Sequence, residues 1–209
     1  MSNWQVTEED FLKDVSKHEM IVMHDQDTYR HLRFKKPNSI DMYFDLITYP
    51  GYLVYSGDMG CYVFSRINDM FQFFRNPDGD QLAVHQINPH YWMEKLEAQC
   101  RDGATEFSHE KFIANVRRWM NEGEHITPEI REDVEDILID DCESHTEEEC
   151  MRAVMDYDFT DKEGNRMHFP VFWEVNNRVY TGRFIWCCYA IVWGIKKYDE
   201  YQILLKSLR

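Results

Sequence analysis

The chain has 209 residues, 44% hydrophobic and 15% aromatic, which is enough for a packed core and excludes wholesale disorder. Six prolines and nine glycines are too few for a collagen-like, linker-rich or low-complexity chain. The formal charge of −15 repels nucleic acid and anionic lipid, so direct binding to DNA, RNA or a membrane surface is not expected.

The segment MSNWQVTEEDFLKDV lacks a basic start followed by an apolar run, so no signal peptide is expected. The most apolar stretch, Phe184 to Ile195, falls short of the ~18–20 residues that span a bilayer. Cys61, Cys100, Cys142, Cys150, Cys187 and Cys188 have no secreted-framework spacing, and Cys187 and Cys188 lie in that apolar run. A reduced, cytoplasmic protein is expected, with no structural metal and no cofactor.

In chain order, Thr7-Glu8-Glu9-Asp10 resembles a capping box, and Phe11, Val15 and His18 at helical spacing predict a short first helix. Tyr29–Lys35, Met42–Tyr49, Tyr52–Ser56 and Cys61–Arg66 are rich in aromatic and β-branched residues and predict a meander of three or four strands. Pro37-Asn38-Ser39, Pro50-Gly51 and Gly57-Asp58-Met59-Gly60 separate them as turns. Asn68-Asp69 opens a short aromatic helix, which Asn76-Pro77-Asp78-Gly79 closes. Asn88-Pro89 begins a helix that ends before Gly103. Ser108 to Gly123 is a third of this kind, Thr127-Pro128-Glu129 begins a fourth, and Thr146-Glu147-Glu148-Glu149 caps a fifth. The Asp161–Asn165 and Asn176-Asn177 segments are turns between further strands. Thr181–Tyr198 is a buried helix or a pair of core strands; its length without a turn signal favours the helix. The expected fold is α+β: an antiparallel meander, helices segregated in the middle of the chain and a buried C-terminal helix. One domain covers 1–209, with the acidic helical region at about 104–155 as a possible subdomain.

The charge is concentrated. Residues 101–150 hold sixteen acids and five bases, a net −11 of the chain's −15. There Ile130, Val134, Ile137, Leu138 and Cys142 form an apolar stripe at helical spacing. Glu129, Glu132, Asp133, Asp136 and Asp140 follow an adjoining face, and Asp141 comes next. As one helix, Glu129 to Asp141 would run about 18 Å and carry seven carboxylates. That is one charge per ~2.6 Å, approaching the ~1.7 Å of duplex DNA. These six named acids are therefore the candidate partner-binding residues, against the plainer reading of a solvated face.

The other candidates are weaker. Cys142-x2-His145-x4-Cys150 invites zinc but lacks paired ligand spacing, and core cysteines beside a loop histidine explain it better. His31, Arg33 and Asp45 could converge as acid, base and anion clamp, or form only a cross-strand ion pair. Gly57-Asp58-Met59-Gly60 lacks the context of a phosphate loop. Trp173, Trp186 and Trp193 read as core, having too few basic neighbours for a stacking groove.

The strings YRHLRFKKP, YFDLITYPGYLVYSGDMGCYVFSR, DMFQFF and FIWCCYAIVWGIKKYDEY resemble a family of bacteriophage and prophage accessory proteins. The likeness covers Asp25–Arg75 and Phe172–Tyr201 and brings no catalytic residues with it. It implies a phage accessory gene acting in the bacterial host cytoplasm, where such proteins antagonise host defence and acidic ones imitate DNA. The expected function is inhibition of a host nucleic-acid-handling defence complex, of anti-CRISPR or anti-restriction type. The partner would be a host protein or ribonucleoprotein with a basic nucleic-acid channel. The rival is a small phage hydrolase or nucleotide-modifying enzyme using His31, Arg33 and Asp45; the third reading is a structural or regulatory phage protein.

Overall fold

A computed structural model describes residues 6–75, 86–140 and 142–208. In chain order the elements are α1 (Glu8–Asp14), β1 (Glu19–Gln26), β2 (Tyr29–Lys35), β3 (Phe44–Tyr49), β4 (Tyr52–Gly57) and β5 (Gly60–Ser65). Then come α2 (Met70–Phe74), α3 (Pro89–Met93), β6 (Leu96–Gln99), β7 (Thr105–Phe107), α4 (His109–Glu122) and α5 (Pro128–Val134). A π-helical turn, Glu135–Ile139, follows, then α6 (Glu147–Asp156), β8 (Asp158–Thr160), β9 (Arg166–His168), β10 (Arg178–Tyr180) and α7 (Gly182–Ser207). The chain divides into two compact units: Met1–Thr105 with Tyr180–Arg209, and Glu106–Val179. The acidic helices lie in the second, which also takes in residues 156–179.

The first unit is a sequential antiparallel sheet, β1-β2-β3-β4-β5-β6. Strand alternation sends Leu32, Phe34, Phe44, Leu46, Leu53, Tyr55, Tyr62 and Phe64 to one face, where all are fully buried. Helix α7 crosses that face, so the fold is α+β with a C-terminal helix. Its approach is close at Gly194, where an added Cβ would sit 2.7 Å from Leu46 Cδ1 and 3.2 Å from the Phe34 ring. Trp186 packs edge-on to Phe11 and Phe44, and its indole N–H donates to Asp14 at 3.0 Å, which ties α1 to α7. Helix α2 is held by Asp69, which caps its N-terminus through Phe71 N and accepts two bonds from the buried Arg30. The turn expected at Asn76–Gly79 lies outside the described residues.

Three local expectations need correction. The sheet has six strands, because β1 and β6 extend the meander at both edges. The helix expected from Pro89 towards Gly103 stops at Met93, since Leu96–Gln99 supplies the edge pairing to Tyr62–Phe64. His18 lies beyond α1, which ends at Asp14.

The second unit packs α4, α5, α6 and the β8–β9 hairpin around Phe112, Val116, Met120, Ile130, Val134, Val154, Phe169 and Phe172. Its helices begin where the caps predict: Ser108, Thr127 and Thr146 each accept a bond from the first turn, and Thr146 with Glu149 completes a capping box.

Candidate partner-binding surface

The acidic segment starts as α-helix at Pro128 and widens to a π-helical turn at Glu135–Ile139, where Asp140 N donates to Glu135 O at 2.9 Å. An i→i+5 turn holds more residues than an α-turn, so the face slips backward in phase. The slip overturns part of the predicted apolar stripe. Ile137 is 57% exposed, and Ile139, 5% exposed, joins Ile130, Val134, Leu138 and Cys142 in the core.

The same geometry sorts the predicted acidic residues. Glu129 is half-buried, 3.0 Å from Lys162 Nζ. Asp133 accepts the Tyr157 hydroxyl at 2.7 Å; burial, then this bond to a carboxylate, pushes the phenol far above its ordinary range. Glu135, which sequence reasoning did not single out, takes a two-pronged bond from Arg117 at 2.8 and 3.0 Å. Those bonds hold its carboxyl below the usual range. Glu132, Asp136 and Asp140 are exposed, and their side chains make no hydrogen bond or ion pair among the described residues. Asp141 lies outside the described residues. Three outward charges over the eight steps from Glu132 to Asp140 give one per about 4 Å, sparser than the sequence alone suggests. The partners Arg117, Lys162 and Tyr157 come from other elements, so no local pattern reveals them.

The charge nevertheless stays in one unit. Residues 106–179 carry twenty acids and eight bases, a formal −12 of the total −15.

Comparison with known proteins returns no match, whether to a protein family, a curated protein or a solved structure.

On the sheet, His31, Arg33 and Asp45 do come together. Arg33 and Asp45 are direct cross-strand partners, and Arg33 donates to both carboxylate oxygens at 2.8 Å. His31 Nε2 lies 3.3 Å from Asp45 Oδ2, in ion-pair range but without the alignment of a hydrogen bond. Burial pushes the Asp45 carboxyl up, yet the bonds from Arg33 and the nearness of His31 outweigh it and leave it below the usual range. With both oxygens engaged, Asp45 is a closed ion-pair partner rather than a base open to substrate.

Cys142 and Cys150 are buried, Cys150 Sγ donates to Cys142 O at 3.5 Å, and burial pushes the Cys142 thiol up to about 11. His145 is exposed and does not join them. Among the described residues no group of three or more His, Cys, Asp or Glu is placed to hold a metal ion. No helix among them is long and apolar enough to cross a membrane. Asp58, in the Gly57–Gly60 turn, accepts Met42 N at 3.1 Å and so ties that turn to the segment leading into β3. Trp186 and Trp193 are core, as expected. Trp173 is not: it is 58% exposed.

Proposed function

We propose that this chain is a non-enzymatic binding protein, of the phage-accessory kind its sequence resembles. Its acidic unit would engage the basic nucleic-acid channel of a host defence complex. The carrying observation is the −12 charge confined to residues 106–179, with Glu132, Asp136 and Asp140 outward and unpaired among the described residues. Such a surface attracts a basic channel over a Debye length of about 8 Å at physiological salt and accelerates encounter ~10–10³-fold. The enzyme alternative draws no support from Asp45, whose two oxygens are both taken by Arg33.

The test replaces Glu132, Asp136 and Asp140 together by lysine. Asp133 is left in place because Tyr157 depends on it. The triple variant should stay folded, since relieving like-charge repulsion costs no stability, and should lose the complex. Wild-type binding should weaken steeply as salt rises and be competed by duplex DNA or guide RNA. Retained binding by the triple variant, or indifference to salt up to ~0.5 M, rejects the reading.

A further inference from the structure

The segment Pro170-Val171-Phe172-Trp173-Glu174 is built against its own local preferences. Val171 has φ 56° and ψ 20°, the left-handed region, which is a genuine outlier for a β-branched residue. Phe172, next in the chain, is fully buried and packs on Phe112, Trp119 and Phe169. That anchor accounts for the turn but not for its flanks. Val171 is 43% exposed, Trp173 is 58% exposed, and Glu174 beside it is exposed with no ion pair among the described residues. Nothing in the core requires an indole at position 173, and asparagine or glycine would adopt the conformation of residue 171 more readily.

The turn lies in the same unit as the acidic helix. Phe172 contacts Phe169 at 5.7 Å between ring centroids, Phe169 contacts Tyr157 at 5.7 Å, and Tyr157 bonds Asp133. An exposed indole with an exposed carboxylate on the next residue, inside a unit of charge −12, offers a guanidinium what it needs: a π-face to stack on, an anion to pair with and a long-range field to draw it in. An ammonium matches this less well, because it is more strongly hydrated and cannot stack as a plane.

We propose that Trp173 and Glu174 form an arginine-binding corner through which the acidic unit grips an arginine-bearing protein surface. The inference rests on the reading of that unit as a partner-binding surface and names the residue type it selects. Trp173 is the anchor, Glu174 pairs with the guanidinium, and Val171 holds the indole outward.

The experiment uses the full chain with two probes of equal charge, nonaarginine and nonalysine, at physiological salt. Binding is followed by fluorescence anisotropy and by the indole N–H resonances. Nonaarginine should bind more tightly than nonalysine and shift the Trp173 indole, which is assigned by its absence in Trp173→Phe. Trp173→Ala should weaken nonaarginine about tenfold, remove its advantage over nonalysine and leave nonalysine nearly unchanged. Trp173→Phe should retain part of the preference, and Glu174→Gln should lower it severalfold. Three results overturn the corner: no binding of nonaarginine, equal binding of both peptides by the wild type, or an unaltered preference in Trp173→Ala. The triple neutral variant Glu132→Gln, Asp136→Asn, Asp140→Asn separates this from the broader reading. If it weakens both peptides alike while the arginine preference persists, field and corner both stand. If it changes neither, the acidic-helix reading fails, and the Trp173 comparison still decides the corner.

Discussion

Removing Asp69 should damage the first unit out of proportion to one surface-near carboxylate. Arg30 is 8% exposed, and its guanidinium bonds to Asp69 at 2.9 and 3.1 Å. In Asp69→Ala that charge stays buried without its counter-ion. Stranding one partner of a buried pair costs ~3–5 kcal/mol. The lower end applies here, because the Asp69 side chain is 16% exposed and Arg30 keeps the Phe71 ring at 4.7 Å. Losing the cap on Phe71 N adds about 1 kcal/mol, for a total of about 4 kcal/mol. With a urea slope of about 2 kcal/mol/M, the midpoint of that unit should fall by about 2 M. Asp69→Asn keeps a capping oxygen and should recover about 1 kcal/mol. Arg30→Met combined with Asp69→Ala should lie close to the wild type apart from the cap, because no charge is stranded. The reasoning is refuted by a midpoint shift under ~0.5 M in Asp69→Ala, or by a double variant as unstable as the single one.

Two further outcomes follow from the geometry. The Asp45 carboxyl is depressed in the folded state, so its contribution is present above the ordinary carboxylate range and lost as pH falls through the folded value. Urea midpoints measured from pH 6 down to pH 3 should fall less steeply in Asp45→Asn than in the wild type, and parallel curves would contradict this. Val171→Asn should stabilise the second unit by about 1 kcal/mol, because asparagine tolerates φ 56° where valine is strained. Calorimetry should show a higher Tm, and an unchanged or lower one would mean the turn carries no strain.

The central strands were legible because Tyr29–Lys35 and Tyr52–Ser56 alternate cleanly and turn residues separate them. Helix starts were legible for an equally local reason, the capping side chains of Thr7, Ser108, Thr127 and Thr146. Strand β1 was not, since its alternation is broken by an irregularity between Val22 and His24 and it has only one neighbour. Four-residue β6, mostly exposed, offers only Leu96 and Ala98 as a hydrophobic signal. The exchange of Ile137 for Ile139 escaped because a 3.6-residue period presumes a regular helix. For the acidic face, helical spacing puts the carboxylates together along one segment, but which of them point to solvent depends on Arg117, Lys162 and Tyr157, contributed from distant positions. Trp173 shows the opposite error: a tryptophan with too few basic neighbours for a stacking groove reads as core, yet two residues after the left-handed Val171 it is 58% exposed.

The first unit is discontinuous in the chain, and this has a consequence for its synthesis. Its sheet is encoded by Gln99, whereas the helix that covers the apolar face begins at Gly182 and ends at Ser207. Translation at ~5–20 residues per second leaves roughly 5–20 s during which the strands exist without their cover. Throughout that interval the eight side chains from Leu32 to Phe64 that are fully buried in the finished protein lack α7, and only the earlier helices, such as α2 with Phe74 on Phe64, can cover part of them. The second unit is contiguous and can close first, so the nascent chain carries a finished acidic body beside an unfinished sticky one. Like-charge repulsion between neighbouring copies then keeps those uncovered sheets apart, which gives the −12 charge a use during biogenesis that is separate from any partner.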